Sequence, residues 1–266
     1  ADKVFLARRR GRPGVQDYID ALFTGFLELK GDRLCGEDAS ILGGLAFYKG
    51  LPVTVIGHRK GKNLAENMAY NFGMPGPEGY RKALRLMQQA QKFGRPILTF
   101  IDTPGAYPGL EAEARGQYEA IARNLAAMSA LTVPVVAVVT GEGGSGGALA
   151  LGVANRVLML EHAVYSILSP EGFASILWKD ATRSEEACGI MKLTAQDLLG
   201  FGVIDEIIPE PPGGAHRNPQ QVFAAVDAVL SAHLKELLPL SQQAIAQQRY
   251  EKFRVIGTQP VTKEEL

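Results

Sequence analysis

The sequence predicts an α/β fold with a largely parallel core, and three observations carry that prediction. Short apolar runs alternate with amphipathic stretches along most of the chain, the pattern of strand–helix–strand crossovers. Two early runs, Ile41–Tyr48 and Pro52–Ile56, are joined by Lys49-Gly50 in a hairpin-like turn. Two glycine-bearing loops leave the ends of successive strands, and in a parallel core such loops converge on one crevice. The hairpin and the repeated strand–strand–helix order fit a ββα spiral better than a simple doubly wound sheet.

The elements follow in order. Ile19, Leu22, Phe23, Phe26 and Leu27 form a helical stripe over 17–29. Glu78–Phe93 reads as an amphipathic helix, with Ala83, Leu84, Leu86, Met87 and Ala90 inward and Gly94 at its end. The strand Ile97–Ile101 leads into the loop Asp102–Gly109, and a helix over Ala112–Met128 leads to the strand Val133–Val139. After a glycine turn come a short helix from Ala148, strands near Val157–Leu160 and Val164–Ile167, helices over about 172–200, and a last strand Val203–Ile208. Pro209–Gly214 breaks the chain before a helix over Gln220–Leu237. Three parts are expected: an N-terminal arm (1–16) with Arg8, Arg9 and Arg10 in solvent, one domain (17–240), and a polar C-terminal tail (241–266) that packs on something outside it.

Composition narrows the function classes. In 266 residues, 46% hydrophobic and 21% charged side chains are those of a globular protein with a substantial core. A formal net charge of +0 gives no global field for nucleic acid or a membrane surface. Cys35 and Cys188 are too few and too far apart for a disulfide framework or a zinc site, so a reducing, cytoplasm-like compartment is expected and no metal site. No apolar stretch is long enough to span a bilayer.

The most informative segment is Gly141-Glu-Gly-Gly-Ser-Gly-Gly147, between a buried strand and a helix start. It fits three motifs. Gly143-Gly-Ser145-Gly-Gly147 is a G-x-S-x-G elbow, and Asp205 and His216 follow in hydrolase-triad order. Gly141-x-Gly143-x-x-Gly146 is a dinucleotide fingerprint with Glu161 downstream, although that motif normally opens the first strand–helix turn and here comes late. The third reading uses no side chain: backbone N–H groups of adjacent glycines, at a helix N-terminus, hold an oxyanion. Close helix–strand packing explains one or two glycines but hardly five of seven. The loop Asp102-Thr-Pro-Gly-Ala-Tyr-Pro-Gly109 reads on its own as a rigid proline turn.

Longer motifs favour the third reading. Gly31-Asp-Arg33, Gly57-His-Arg-Lys-Gly61, Asn71 through Met87, Phe100 through Gly109, Arg115-Gly-Gln117, Gly141 through Ala150, Ser169-Pro-Glu-Gly172, Ala174 through Asp180, Ile207 through Pro211 and Gly213 through Arg217 occur in this order. Together they make the chain resemble the α subunits of multisubunit acetyl-CoA carboxylase carboxyltransferases, from about Arg12 to Gly257. Phe173 and Leu110-Glu111-Ala112 depart from that pattern, and fewer residues precede residue 12 than it leads one to expect.

The resemblance implies a crotonase-like ββα spiral with additional peripheral helices, in an α2β2 assembly. It implies carboxyl transfer from carboxybiotin, on a separate biotin carboxyl carrier protein, to acetyl-CoA, giving malonyl-CoA for fatty acid biosynthesis. A biotin carboxylase belongs to the wider complex, and zinc is expected only on the β subunit. The location implied is a bacterial cytoplasm or a plastid stroma. Two oxyanions arise in such a reaction, and no protein general base is strictly required because the cofactor supplies one. Gly146 and Gly147 are then the catalytic N–H donors to the biotin oxyanion. Gly143, Gly144, Gly105 and Ala106 are substrate-binding, and Ser145 is a turn residue or helix cap. The readings left beside it are a serine hydrolase and a non-catalytic scaffold that docks the biotin carrier. His58 with Arg59, Lys60 and Lys62 is either a CoA-phosphate site or a solvated basic loop. Trp178 belongs to a core or interface, Glu171 favours a helix N-terminus, and Arg115 and Arg123 pair with carboxylates at an interface.

Overall fold

A computed structural model describes residues 1–258; residues 259–266, the end of the expected tail, lie outside the described residues. In order, the chain forms α1 (Asp2–Ala7), α2 (Val15–Leu22), β1 (Thr24–Glu28), β2 (Ile41–Tyr48), β3 (Leu51–His58), α3 (Leu64–Ala69), α4 (Pro77–Lys92), β4 (Ile97–Thr103), α5 (Leu110–Ala114), α6 (Gln117–Ala130) and β5 (Val135–Gly144). There follow α7 (Ser145–Leu149), β6 (Arg156–Leu160), β7 (Val164–Ser166), α8 (Pro170–Trp178), α9 (Ser184–Ile190), α10 (Ala195–Gly200), β8 (Glu206–Ile208), α11 (Pro219–Leu237) and α12 (Gln242–Val255).

One 8-stranded sheet has the order β1-β2-β3-β4-β5-β6-β8, with β7 off this path and paired to β5. The hairpin β2–β3 is antiparallel, and β3, β4, β5, β6 and β8 run parallel. This is the expected hairpin followed by a parallel core. Ile97–Ile101 and Val135–Val139 are buried throughout, as strands covered on both faces must be. α4 packs on β2 and β3, and α11 on β5 and β8. Each buried Val, Leu or Ile here contributes about 1.5–3 kcal/mol relative to exposure.

Several elements differ from expectation. The helix over 17–29 ends at Leu22, and Thr24–Glu28 is an edge strand. Phe23 is extended and Gly25 takes φ +62°, which ends the helix, and β2 offers Thr24 and Leu27 the partners Phe47 and Leu45. The apolar stripe was shared by two elements of different period. The strand after Val135 does not stop at Val139; it runs through the glycines to Gly144 because β7 pairs with Glu142, Gly143 and Gly144. The following helix starts at Ser145 rather than Ala148, and the last strand is only Glu206–Ile208.

Both ends of the described chain pack on the domain. Val4 and Ala7 of α1 are buried; Arg8, Arg9 and Arg10 are exposed as expected, but Arg8 also binds Glu142 and Glu171. Residues 242–255, expected to pack on something outside, form a helix whose Ile245 and Arg249 are buried in this chain. The Arg249 guanidinium donates to the carbonyls of Met128 and Val133, both at 3.0 Å, and to Leu131. These acceptors lie in the last turn of α6 and in the segment that follows it.

Candidate active site

β4 and β5 lie side by side and in register from Ile97↔Val135 to Ile101↔Val139. The next pair is Thr103↔Gly143. Between them β4 advances by Asp102 alone while β5 advances by Thr140, Gly141 and Glu142, so the ladder bulges at the mouth of the sheet. The bulge is held by other bonds. Arg12 Nη2 donates to the Thr140 carbonyl at 2.8 Å and to Glu210 Oε1 at 2.7 Å, in a nearly fully buried pair. The Glu142 N–H donates to Asp102 Oδ1 at 2.9 Å, and the Asp102 carboxylate occupies the place a Cβ on Gly141 would need.

Beyond the bulge the two loops meet. Thr103 Oγ1 accepts the Gly105 N–H at 3.0 Å and donates to the Gly105 carbonyl at 2.8 Å. The Tyr107 N–H donates to the Pro75 carbonyl, and Gln117 Nε2 donates to the carbonyls of Pro75 and Tyr107 at 2.8 and 2.9 Å. The loop 102–109 is therefore fixed from within and from α6. Three glycines pack against it or against β7: Gly143 on the Tyr165 ring, Gly144 on the Pro104 carbonyl, and Gly147 on Gly105 and Ala106 with the Tyr80 hydroxyl behind it. With Gly141 on Asp102, four of the five glycines are required by close approach, more than packing was expected to explain. Gly146 differs. A Cβ there would meet only Ile121 Cγ2, at 3.6 Å.

Gly105, Ala106, Ser145, Gly146 and Gly147 line one cleft of about 540 Å³, together with Gln117, Tyr118 and Ile121 of α6. Ser145 and Gly146 also line a second, more apolar cleft of about 520 Å³, with Phe173, Leu198 and Phe201. Gly143 and Gly144 do not reach the first cleft; they border a narrow gap beneath α1. Among the described residues, no carbonyl or side chain accepts the N–H of Ala106, Gly146 or Gly147. These are unclaimed donors on the cleft wall, the kind of group that stabilises a developing oxyanion. Because α7 has only five residues, its macrodipole adds little, and the local N–H groups must act.

The competing constellations do not assemble. The Asp205 carboxylate accepts from Val157 N and pairs with Lys252, while His216 packs beside Gly11 and Gly214. No hydrogen bond joins either to Ser145. Ser145 is not the helix cap, which is Gly144; it is the first helical residue, exposed, at φ +50°. Glu161 accepts the Glu210 N–H, and its glycine motif spans the end of the fifth strand and the start of α7.

The basic segment is spoken for as well. Arg59 pairs with Glu28 and lies 5.0 Å from the Tyr70 ring centre, Lys60 pairs with Asp102 and Glu142, and Lys62 pairs with Asp17. His58 is buried against the backbone of Gly147 and Phe100, and burial pushes its pKa down to about 3. Arg115 and Arg123 pair within the chain, with Glu78 and Glu119. Trp178 is half-buried, 4.1 Å from the Arg183 guanidinium. Glu171 stands in the first turn of α8 and binds Arg8. The reading of the sequence missed Gln117, Tyr80 and the Lys60–Glu142 pair. One signal was present: a lone carboxylate among glycines at the end of an apolar strand needs a cationic partner.

The fold is crotonase-like α/β, with a cleft where two strand-end loops meet. Among solved structures, transcarboxylase 12S with methylmalonyl-coenzyme A and methylmalonic acid bound superposes with a TM-score of 0.71 at 20% identity, over 88% of this chain and 42% of that one. A Pseudomonas malonate decarboxylase hetero-dimer gives 0.69 at 20% identity, over 90% and 94%. At such identities the likeness establishes the fold. A family model described as acetyl co-enzyme A carboxylase carboxyltransferase-like matches residues 1–257. The acetyl-coenzyme A carboxylase carboxyl transferase subunit alpha of Geobacillus thermodenitrificans is 62% identical over 256 residues, 96% of this chain and 79% of the relative. The chain belongs to the family of acetyl-CoA carboxylase carboxyltransferase α subunits. Among the described residues no group of His, Cys, Asp and Glu could hold a metal ion, and no helix is long and apolar enough to cross a membrane.

Proposed function

We propose that this chain supplies one half of a composite carboxyltransferase site, in which a carboxyl group passes from carboxybiotin on a carrier protein to acetyl-CoA to give malonyl-CoA. The observation that carries the reading is the set of unclaimed N–H groups of Gly146, Gly147 and Ala106 on one cleft wall. The cleft fits the ring end of biotin in kind. Its lining offers bare backbone at Gly146 with the apolar Ile121 beside it, and its donors suit a carbonyl oxygen that becomes anionic. Bound there, the cofactor supplies the carboxyl group and a basic ureido for the acetyl methyl proton.

Gly146 and Gly147 hold that oxygen, and Gly105 and Ala106 shape the lip packed against Gly147. Gly143 and Gly144 act indirectly, by letting β5, β7 and the loop 102–109 close on one another. The thioester oxygen is held by the partner β subunit, which also carries the zinc, in an α2β2 assembly served by a biotin carboxylase. The cytoplasm of a bacterium is the location that accords with bacterial relatives. The test is malonyl-CoA formation from acetyl-CoA and carboxybiotin. The isolated chain gives none, and addition of the β subunit restores it; full turnover by the chain alone overturns the composite site.

A further inference from the structure

The ammonium of Lys60 bridges the roots of the two site loops. Its Nζ donates to Asp102 Oδ1 at 2.6 Å, on the last stretch of β4, and to Glu142 Oε2 at 2.8 Å, within the bulge of β5. The other Glu142 oxygen accepts from Arg8 Nε at 2.7 Å. The Lys60 side chain is 22% exposed, and Gly73, at φ +77°, covers its stem. Burial works against its charge, but Asp102 and Glu142 outweigh that and hold its pKa above the ordinary value. Lys60 and Arg8 likewise outweigh burial at Glu142 and hold that carboxylate low.

The position of this bridge is what matters. In-register β4–β5 pairing stops at Ile101↔Val139 and resumes only at Thr103↔Gly143, so the ladder does not set the separation of the strand ends across the bulge. Lys60, Asp102 and the Glu142 N–H span the interruption instead. One residue past Asp102, Thr103 holds both backbone groups of Gly105, next to the Ala106 N–H; four and five residues past Glu142 are Gly146 and Gly147.

We infer that Lys60 is a positioning residue: it fixes the distance between the Ala106 lip and the Gly146–Gly147 donors, and so governs turnover without touching substrate. The inference rests on the proposed function for its activity arm. It needs a neutral chain of similar length, Lys60→Met, studied in the complex with the β subunit. Displacement of donors by an ångström costs about 100-fold, so kcat is expected to fall about 100-fold while the KM for acetyl-CoA stays within about threefold. Lys60→Arg retains the bridge and recovers most of kcat.

A second readout is independent of catalysis. Amide hydrogen exchange in 102–109 and 141–149 is expected to rise at least about tenfold in Lys60→Met, with 97–101 and 135–139 unchanged. Because Lys60→Met leaves Asp102 and Glu142 facing each other, Lys60→Met with Glu142→Gln removes the repulsion; it is expected to regain thermal stability but not kcat. Unchanged exchange in both loops, or full recovery of kcat in the double variant, overturns the inference. Failure of the composite-site reading shows separately, as loops that loosen in Lys60→Met while Gly146→Ala leaves turnover untouched.

Discussion

The two halves of β4 and β5 are built on different physics. From Ile97 to Ile101 and from Val135 to Val139 every residue is buried, pairing is in register, and all but Thr99 are apolar. From Asp102 and Thr140 onward the ladder bulges, charges bridge the strands, and glycines pack backbone on backbone. The first half resists any unpaired polar atom. The second half is assembled from polar atoms, and it leaves three N–H groups free at the cleft. Hydrophobic burial places the strand ends within the fold, whereas specific bonds set the last ångström that chemistry depends on.

The harshest way to break this contrast is a carboxylate in the apolar half. Val138 is fully buried, and Val138→Asp leaves an unpaired charge or forces a proton onto it. A loss above about 4 kcal/mol is expected, seen as failure to recover folded protein. A cooperative unfolding transition near that of the wild type would contradict the division.

His58 stands at the boundary, buried at the end of β3 against Gly147 and Phe100. Its pKa falls from 6.5 to about 3 because burial disfavours the imidazolium. The unfolded chain therefore takes up the proton first as pH drops, and stability is lost from about pH 6.5 downward toward 3. Each pH unit well inside that window costs about 1.4 kcal/mol. Denaturant unfolding at pH 7 and pH 4.5 should show a steeper loss for wild type than for His58→Phe. Equal slopes would mean that His58 is protonated in the folded protein.

Gly147 and Gly146 are adjacent yet held for different reasons. A Cβ on Gly147 would stand 2.7 Å from the Gly105 carbonyl carbon and 2.8 Å from the Tyr80 hydroxyl. Gly147→Ala should therefore cost about 1–3 kcal/mol of stability as well as activity. Gly146→Ala has room, and its stability should stay within about 0.5–1 kcal/mol of wild type. Its methyl enters the cleft, so turnover should fall about 100-fold, the scale of losing one oxyanion donor. Thermal unfolding beside malonyl-CoA formation separates the two. Wild-type turnover in Gly146→Ala would remove the cleft from the reaction.

What was legible in the sequence follows the same division. Ile97–Ile101 and Val133–Val139 announce buried strands because burial leaves a local apolar run, and the glycine segment marks the site because its composition is extreme. Non-local choices were hidden. Leu22–Glu28 reads as helix until β2 supplies partners for Thr24 and Leu27. Nothing near Gly144 in sequence shows that the Pro104 carbonyl lies against it, nor near Lys60 that Asp102 and Glu142 converge on it. Four glycines thus had packing partners dozens of residues away or on the next strand, and of the five only Gly146 has room for a side chain.

Ser145 offers the smallest effect and the sharpest distinction between side chain and backbone. It is the one non-glycine between Gly143 and Gly147, yet it takes φ +50°, a conformation that costs an L side chain about 1–2 kcal/mol. Such strain at a strand-to-helix turn also marks the serine of a nucleophile elbow, so the geometry alone favours neither role. The surroundings do: its hydroxyl is exposed and without a base, because His216 lies beside Gly11 and Gly214 and Asp205 is paired with Lys252. In Ser145→Gly the relief of strain and the extra unfolded-state freedom nearly cancel, leaving stability within about 1 kcal/mol. Turnover should hold within about threefold, since every backbone donor is kept. If the serine were the nucleophile, the same variant would lose turnover by orders of magnitude, and a fluorophosphonate would label the wild-type chain at Ser145.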